Sequence, residues 1–507
     1  MSSNKGIWKI IAASSVGTLI EWYDFYIFGS LAIIISEKFF PSENPTTAFL
    51  ATLATFAAGF IVRPFGALFF GRLGDLIGRK HTFLLTLIIM GGGTFLIGCI
   101  PSYQSFHLAP YVILLLRLLQ GLALGGEYGG AATYVAEHAP AHKRGYYTSW
   151  IQTTATLGLF ISLIVIITIQ SSLSKEAFNN WGWRLPFLLS IILVIVSIII
   201  RMKMSESPLF AKLKTEGKIS KNPLKESFGK KQNLKMVLLA LFGATMGQGV
   251  VWYTSQFYTQ TFLLKTCGLD STQTNTWLGI ALLIATPFFI FFGWLSDKTG
   301  RKIIMMSGLL LAIIFYRPIF SALYDLTNIK NKQEISSVID VKKIIHPSIA
   351  HDSLIIKTTQ VVYNDNSKMI VEEKYTESVV KAGNNKPQEF KKIVTLSNAY
   401  KWKIIGLIFI LVLFVTMVYG PIAAFLVELF PTKIRYTSMS LPYHIGNGVF
   451  GGLVPFTVTL ISTMPGSNYL SGLWYPIGVA IICFIIGILY LSNKNNELSE
   501  EENFSNN

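Results

Sequence analysis

The sequence has few charged residues: Asp, Glu, Lys and Arg make up 14% of its 507 residues, whereas 51% are hydrophobic. The mean hydropathy is +0.49. A water-soluble fold of this length would lack the polar side chains needed to cover its surface. We therefore exclude a soluble globular protein and expect lipid to be the main solvent.

Cysteine is also scarce. Cys99, Cys267 and Cys483 lie in or near apolar segments, with no CxxC spacing and no histidine companion. The sequence therefore predicts neither a metal site nor a disulfide framework. A nucleophile with its base and a phosphate-binding loop are likewise missing at any recognisable spacing, which argues against an enzyme.

Long apolar runs are what the sequence does have. Runs of about 20 residues, enough to cross ~30 Å of hydrocarbon, predict twelve membrane spans. Because Glu21 and Asp24 interrupt the first run, it does not resemble a cleaved signal peptide, and we interpret it as a retained span. In chain order, the predicted spans are 8–35, 48–70, 82–102, 110–133, 147–170, 184–202, 236–262, 275–297, 303–324, 403–427, 438–463 and 470–492.

The net charge of +16 is explained by membrane topology rather than by nucleic-acid binding. About 23 Lys and Arg residues fall on the side that holds the amino terminus, and about 4 fall on the other side outside one long insertion. The positive-inside rule therefore predicts that both termini are cytoplasmic. We expect the lipid bilayer as a partner and no nucleic acid.

Two short motifs occur twice. Residues 71–80 (GRLGDLIGRK) return 222 residues later as 293–302 (GWLSDKTGRK), and 137–149 is echoed by 428–438 at an offset of 291. Such repeats indicate a duplicated bundle whose working site lies between two halves. The two offsets differ by 69 residues, which places an insertion between residues 302 and 428.

The repeats and the spans together predict the domain organisation. We expect an N-terminal half at 1–202, a cytoplasmic linker at 203–235, a C-terminal half at 236–492 and a cytoplasmic tail at 493–507. The insertion, about 325–401, follows span nine and faces outward. Segments 353–363 and 369–375, separated by turn residues 364–368, predict a β-hairpin in a small external cap. A disordered lysine-rich loop is the alternative.

The repeated loop after spans two and eight resembles the signature of the major facilitator superfamily. This resemblance implies an all-α integral membrane protein of twelve transmembrane helices in two six-helix halves. Glycines allow close helix approach, and the charged residues can bind neighbouring helix ends. The sequence thus predicts a gating latch made of Gly71, Asp75, Gly78, Arg79, Lys80, Asp297, Gly300, Arg301 and Lys302.

Within that superfamily, residues 17–25 (GTLIEWYDF), 63–66 (RPFG) and 117–130 (RLLQGLALGGEYGG) resemble the metabolite:proton symporter family. The family transports proline and betaine, 2-oxoglutarate, citrate, shikimate and related metabolites with protons. The resemblance implies a bacterial inner-membrane protein that works as a monomer, with a small metabolite and the proton as partners and no cofactor.

We expect symport of a carboxylate-bearing metabolite, with a zwitterion such as proline or betaine favoured over a di- or tricarboxylate. Span five lacks the glycine-proline pair that antiporters of the superfamily usually carry, which favours uptake over export. Passive facilitation is the alternative within transport. A metabolite sensor that does not transport is the alternative from another class.

Ionisable residues inside a membrane span are costly and mark candidate proton sites. Glu21 lies near the middle of span one, on one helical face with Asp24. A pairing role with Arg63 or Arg117 that only holds helices together is the alternative. His444 stands where the family more often has Asn, so it is either a proton carrier or a structural histidine. The candidate proton-coupling residues are Glu21, Asp24, Arg117, Glu127 and His444.

Substrate contacts are expected from an arginine and from aromatic residues at membrane depth. Arg63 can present a bidentate fork to a carboxylate, and aromatic rings in span seven can stack on an ammonium group. Helix packing is the alternative for each. The candidate substrate-binding residues are Arg63, Trp252, Tyr253, Gln256, Phe257, Tyr419, Tyr443 and Asn447.

Overall fold

The structure is a computed structural model that describes residues 4–40, 45–77, 79–126, 128–202, 215–216, 220, 222–330, 332–345, 353–377, 387 and 389–492. Within these ranges the chain is mainly helical and contains one small antiparallel sheet. The predicted tail at 493–507 and most of the predicted linker before Pro223 lie outside them.

Among the described residues, ten helical segments are long and apolar enough to cross a membrane, and Leu84–Cys99 is a shorter apolar helix. With the two helices of the first span, these account for the twelve predicted spans. Nine of the twelve spans are longer than the predicted runs, because polar residues continue them at their ends; spans three, six and twelve are not.

The first six spans are Asn4–Ser30 with Ala32–Phe39, Pro45–Ile61 with Arg63–Ile77, Arg79–Cys99, Ala109–Gly125 with Tyr128–His138, Arg144–Ser172, and Leu185–Met202. Spans seven to twelve are Lys231–Thr266, Ser271–Thr299, Arg301–Thr327, Lys401–Tyr419 with Ile422–Leu429, Arg435–Thr463, and Trp474–Tyr490. Short helices lie at Ala141–Lys143, Lys175–Asn180, Gly182–Arg184, Pro223–Gly229, Asn398–Tyr400, Thr432–Ile434 and Ser471–Leu473.

Spans seven and eleven depart from regular α-helix. Span seven contains π-helical stretches at Leu241–Thr245, Thr254–Tyr258 and Phe262–Thr266. Span eleven contains one at Ile445–Gly451. A π-helical turn leaves backbone and side chains out of the normal register and is frequent at functional sites. Both spans carry predicted substrate contacts.

Spans two and four approach each other at backbone distance. A Cβ atom added to Gly121 would overlap the carbonyl oxygen of Gly59, and one added to Gly125 would overlap that of Arg63. Small residues at helix contacts permit this approach in a membrane, where van der Waals packing drives association. The close contact holds Arg63 and Arg117 on neighbouring helices.

The contacts divide the chain into two compact units. The larger unit contains Met1–Tyr258, Ala281–Arg317 and Phe409–Asn507. The smaller unit contains Thr259–Ile280 and Pro318–Ile408, and so includes the sheet.

The insertion forms a four-stranded antiparallel sheet in the order β1-β2-β3-β4. The strands are β1 (Glu334–Ile345), β2 (Ser353–Tyr363), β3 (Lys368–Thr376) and β4 (Glu389–Thr395). The predicted hairpin is confirmed as β2 and β3, and the β-rich cap rather than the disordered loop describes this segment.

The turn between β2 and β3 is fixed by polar contacts. Asn366 adopts a φ of 64°, a left-handed conformation that Asn tolerates. Asp365 accepts a hydrogen bond from the Ser367 amide at 2.9 Å and pairs with the Lys332 ammonium at 2.6 Å. Burial raises the pKa of Asp365, but the hydrogen bonds from Lys332 and Ser367 outweigh this effect and hold that pKa well below its usual range.

Strand β4 is joined to the chain that follows span seven. The amide of Val394 donates to the Gly268 carbonyl at 2.7 Å, and the Asp270 amide donates to the Val394 carbonyl at 2.8 Å. Gly268 has a φ of +67°, a conformation that favours glycine. Gln273 also exchanges hydrogen bonds of 2.8 and 2.9 Å with the Leu396 backbone.

The packing of spans two and four predicts a specific loss of stability. Gly121→Val should cost on the order of 1–3 kcal/mol, because the added side chain meets backbone that cannot rotate away. The measurement is the thermal unfolding midpoint of the purified protein in detergent. Gly92→Val is the control, since a Cβ at Gly92 meets nothing within 4 Å. Equal midpoints for the two variants would contradict the packing.

Candidate functional site

Arg63 is a charged side chain buried within the helices, with 2% of its surface exposed. Pro64 lacks an amide hydrogen, so the helix of span two breaks at Val62 and Arg63 begins its second piece. The guanidinium carbon lies 4.3 Å from the ring centroid of Phe60 and 5.9 Å from that of Trp22. Aromatic faces therefore hold this cation by cation-π attraction.

Arg117 is a second buried arginine, 1% exposed, and it lies close enough to Arg63 for the two charges to interact. It donates a hydrogen bond of 3.0 Å to Gln120. Its guanidinium carbon lies 4.5 Å from the ring centroid of Phe28 and 5.1 Å from that of Phe56. Two permanent positive charges in one buried region favour an anionic partner, because buried charge is costly unless it is compensated.

The predicted acidic residues cannot be placed against these arginines. Glu21 and Asp24 belong to the helix Asn4–Ser30, but their side chains lie outside the described part of the chain. Glu127 lies between the two helices of span four and is likewise outside the described residues. Their roles in proton coupling stay predictions.

The predicted aromatic residues of span seven meet rings from spans one and two. Trp22 lies 5.4 Å from Trp252, measured between ring centroids, and Tyr26 lies 5.1 Å from Phe257. These contacts connect the first six spans with the last six. The remaining ring pairs are Tyr26–Trp252 at 5.8 Å, Phe56–Phe257 at 5.5 Å and Phe60–Tyr253 at 5.0 Å.

A polar network joins the second-half candidates to span four. The hydroxyl groups of Tyr419 and Tyr443 are 2.8 Å apart. The Tyr443 ring stacks on Tyr128, with centroids 3.6 Å apart and planes 4° from parallel. Tyr128 in turn accepts a 2.6 Å hydrogen bond from Gln152. Asn447 donates at 2.7 Å to the Gln248 side-chain oxygen.

Several buried polar atoms nearby have no hydrogen-bond partner within the described ranges. They include both polar side-chain atoms of Gln256, both ring nitrogens of His444 and the indole nitrogen of Trp252. All three side chains are buried, and His444 also interacts electrostatically with Arg63. Leaving a buried polar group unpaired costs about 1–3 kcal/mol. These atoms are therefore available to a bound substrate or to water.

Sequence reasoning missed the first-half contribution to this region. Trp22, Tyr26, Phe56 and Phe60 contact the candidate residues, as does Tyr128. One signal was present: aromatic residues four apart lie on one helical face. Three such pairs meet here, namely Trp22 with Tyr26, Phe56 with Phe60, and Tyr253 with Phe257.

The second copy of the repeated loop binds the start of span five. Asp297 accepts hydrogen bonds from the amides of Gly145 and Tyr146 at 2.9 and 2.8 Å. These are the first amides of the helix Arg144–Ser172, which lack partners inside the helix and carry its positive dipole end. A carboxylate from the second half thus caps a helix of the first half.

Arg301 extends this contact within the second half. It pairs with Asp297 at 2.6 Å and with Glu428 at 3.0 Å, and it donates to Ser296 at 2.8 Å. Lys302 donates to the carbonyl oxygens of residues 488 and 491 at 2.8 and 2.7 Å. Gly300 has a φ of +96°, so the loop turns where a side chain would be strained.

The first copy of the loop lies near the start of span eleven, but less of it is described. A Cβ on Gly71 would stand 3.5 Å from the Tyr436 ring. The Tyr436 hydroxyl donates to the Gly126 carbonyl, and Arg435 pairs with Glu137 at 3.5 Å. Gly78 and the side chains of Asp75, Arg79 and Lys80 lie outside the described residues.

These contacts show that the two halves touch at the loop end as well as in the aromatic region. The described residues contain no cluster of three or more His, Cys, Asp or Glu side chains that could hold a metal ion.

Comparisons with known proteins agree with this geometry. The family model described as sugar (and other) transporter matches residues 9–226. The chain is 36% identical to the alpha-ketoglutarate permease of Escherichia coli K12, covering 64% of this chain and 74% of that protein. It is 33% identical to the proline/betaine transporter of Salmonella typhimurium LT2, covering 59% and 61%.

Among solved structures, the chain is similar in fold to the proton:xylose symporter XylE bound to 6-bromo-6-deoxy-D-glucose. The TM-score is 0.66 at 17% identity, with 99% and 100% of the two chains covered. The fold and the paired halves define a multi-pass membrane transporter with the major facilitator fold, not an enzyme. Within that superfamily, the chain belongs to the metabolite:proton symporter family.

The cap that Asp297 forms on span five predicts that its loss opens the contact between the halves at the loop end. Asp297→Asn should raise the accessibility of this interface, since charge-assisted hydrogen bonds worth about 1.5–3 kcal/mol each are weakened. Ser149, which is buried next to Gly293, is the reporter position. In a chain with Cys99→Ser, maleimide labelling of Ser149→Cys should be on the order of tenfold faster, the equivalent of about 1.4 kcal/mol.

Lys298→Gln is the matched control for this measurement. Lys298 is exposed one residue after Asp297 and lies over the Trp294 ring at 4.0 Å rather than between the halves. The control should label at the unmodified rate. Unchanged labelling in Asp297→Asn would show that the cap does not hold the halves together.

Proposed function

We propose that the protein is a proton-coupled symporter that imports a small carboxylate-bearing metabolite by alternating access. The observation that carries the proposal is the buried pair Arg63 and Arg117, enclosed by aromatic rings. His444 interacts electrostatically with Arg63, and its ring nitrogens have no partner within the described ranges. A bidentate arginine fork matches the geometry of a carboxylate.

Alternating access is supported by the contacts between the halves. Aromatic rings meet across the halves in the region of Arg63, and the Asp297 cap joins them at the loop end. When the cap breaks, water can hydrogen-bond to the helix amides that Asp297 had bound. The free-energy cost of opening this end is therefore moderate. The repeated loop acts as a latch that biases the protein toward closure at this end.

Proton coupling is assigned to Glu21, Asp24, Arg117, Glu127 and His444. A carboxylate in a buried site takes up a proton when it is desolvated and releases it when a positive charge approaches. Arg117 and Arg63 supply the positive charge. His444 is the alternative carrier, because histidine is a common proton carrier in proteins.

The proposed topology places the latch on the cytoplasmic side. Both termini are then cytoplasmic, and the sheet faces outward from a bacterial inner membrane. The charge distribution supports this orientation. Each chain contains a complete set of candidate residues, so transport requires one chain and no cofactor besides the coupling proton.

Two substrate classes remain in competition. The rings of Trp22, Tyr26, Trp252 and Phe257 offer faces for a quaternary ammonium, which favours a proline- or betaine-like zwitterion. The second candidate is a dicarboxylate such as 2-oxoglutarate. It is favoured by one observation, namely that two positive charges, Arg63 and Arg117, lie within electrostatic range of each other. Both guanidinium groups already face aromatic rings.

Coupling predicts proton movement with substrate. In proteoliposomes without a membrane potential, adding substrate outside should acidify the lumen, as reported by an enclosed pH dye. Glu21→Gln should abolish accumulation driven by a pH gradient but retain exchange of labelled for unlabelled substrate, because exchange needs no proton release. His444→Gln is the matched variant for the alternative carrier.

Each outcome of this experiment has a distinct meaning. Substrate flux without lumen acidification would identify passive facilitation. Tight binding with no flux would identify a sensor. Full pH-driven accumulation in Glu21→Gln would remove Glu21 from the mechanism, and its loss in His444→Gln alone would assign the proton to the histidine.

A substrate carboxylate bound by Arg63 predicts how the KM responds to the conservative substitution Arg63→Lys. Uptake of proline, glycine betaine, 2-oxoglutarate and citrate is compared in the parent and in Arg63→Lys. The KM of the transported substrate should rise about tenfold or more, because lysine cannot replace a bidentate fork. Arg72→Lys, at an exposed position of the same span, should leave the KM unchanged. Equal KM values for the parent and Arg63→Lys would contradict a substrate contact.

A further inference from the structure

Strand β1 is an open edge of the sheet. It is 12 residues long and pairs with β2 along one side, whereas no strand in the described part of the chain pairs with its other side. The opposite edge strand, β4, differs because its outer edge bonds to residues 268 and 270. Edge strands are usually protected by proline, bulges, a cover or charged side chains, and of these β1 has the charged residues Glu334, Asp340, Lys342 and Lys343. In β1 the only irregularity of pairing lies at its start, between Glu334 and Ser336.

The free edge also carries exposed apolar residues. Ile335, Val338, Ile339 and Val341 are 65%, 65%, 57% and 58% exposed. Both faces of the strand carry such residues, since alternate positions point to opposite faces. An exposed, long and apolar edge is a template for pairing with another strand.

The charges on β1 indicate which strand that is. Asp340 and Lys342 lie two positions apart on one face, with 3.8 Å between the carboxylate and the ammonium. When two identical strands pair antiparallel about a two-fold axis through Val341, each Asp340 lies opposite the other copy's Lys342. Opposite charges in directly opposed positions stabilise a sheet, and like charges destabilise it.

The neighbouring registers are worse. An axis through Asp340 would oppose two aspartates, and an axis through Lys342 would oppose two lysines. An axis through Ile339 would place Asp340 opposite Val338, which leaves the charges unpaired. Intermediate registers would place residues of opposite faces against each other, and a one-residue slip moves every side chain to the wrong face.

We propose that two copies of this chain associate through antiparallel pairing of their β1 strands about Val341. The result is one continuous eight-stranded sheet. Two copies in one membrane carry their insertions on the same side, whichever side that is. The association is separate from transport, because each chain retains its own arginines and aromatic rings.

Disulfide cross-linking of the full-length protein in native membranes tests this register. Two Val341→Cys residues would lie directly opposite each other, at the about 4.5–5.5 Å between Cα atoms found in antiparallel pairs. That distance is within the range for a disulfide. Under a mild oxidant, Val341→Cys should form a covalent dimer in a chain with Cys99→Ser.

Ile339→Cys is the matched control, because Ile339 and Val341 are equally exposed and lie on the same face. In the proposed register, the two Ile339 positions are four residues apart along the strands, more than about 10 Å, which is too far for a disulfide. Equal cross-linking at both positions would indicate random collision and overturn the proposal. No dimer from Val341→Cys, or a cross-link to a protein of another size, would also overturn it.

A charge exchange tests the pairing independently. In the Val341→Cys background, Asp340→Lys alone and Lys342→Asp alone each oppose like charges and should lower the yield of cross-linked dimer about tenfold. The double variant Asp340→Lys with Lys342→Asp restores opposite charges and should return the yield to within about twofold of the parent. Failure of the double variant to recover, with all variants monodisperse and active in uptake, would refute the register.

Discussion

The buried charges of Arg63 and Arg117 are the constraint on which the rest of the transport region depends. Neither guanidinium loses its proton in a protein, so the helices around them must compensate two permanent charges away from water. Aromatic rings supply part of this compensation, and they come from spans one and two. The same rings contact span seven, so the groups that stabilise the arginines also bring the two halves together.

This coupling between charge and packing explains where the helices are irregular. Span two breaks at Val62 because Pro64 cannot donate a hydrogen bond, and Arg63 begins the second piece of the helix. Spans seven and eleven widen into π-helix next to Trp252 and His444. At the loop end, a different interaction offsets the free-energy cost of bringing the halves together. Asp297 accepts hydrogen bonds from helix amides that would otherwise bind water.

The sequence predicted the spans, the duplicated plan and the β-hairpin well, because each follows from a local pattern: hydropathy, repeats, or β-branched residues around a turn. It predicted Arg63, Trp252 and Tyr443 as substrate contacts, because charged and polar side chains at membrane depth are energetically costly and are easily recognised in a sequence. It missed Trp22, Phe60 and Tyr128, because the spacing of aromatic residues shows which of them share a helical face but not whether that face meets the other half. Which helical face meets the other half is decided only when the twelve helices pack together.

The sheet follows a different physical rule from the bundle. Inside the bundle, lipid or neighbouring helices cover the surface of each helix, so the specificity of packing lies in buried polar groups. In the insertion the backbone itself is the exposed polar surface, and β1 presents a row of amides and carbonyls flanked by apolar side chains. A strand of this kind is tolerated when its charges favour one partner and oppose the others. Asp340 and Lys342, placed symmetrically about Val341, provide that selectivity for an identical strand and for a single register.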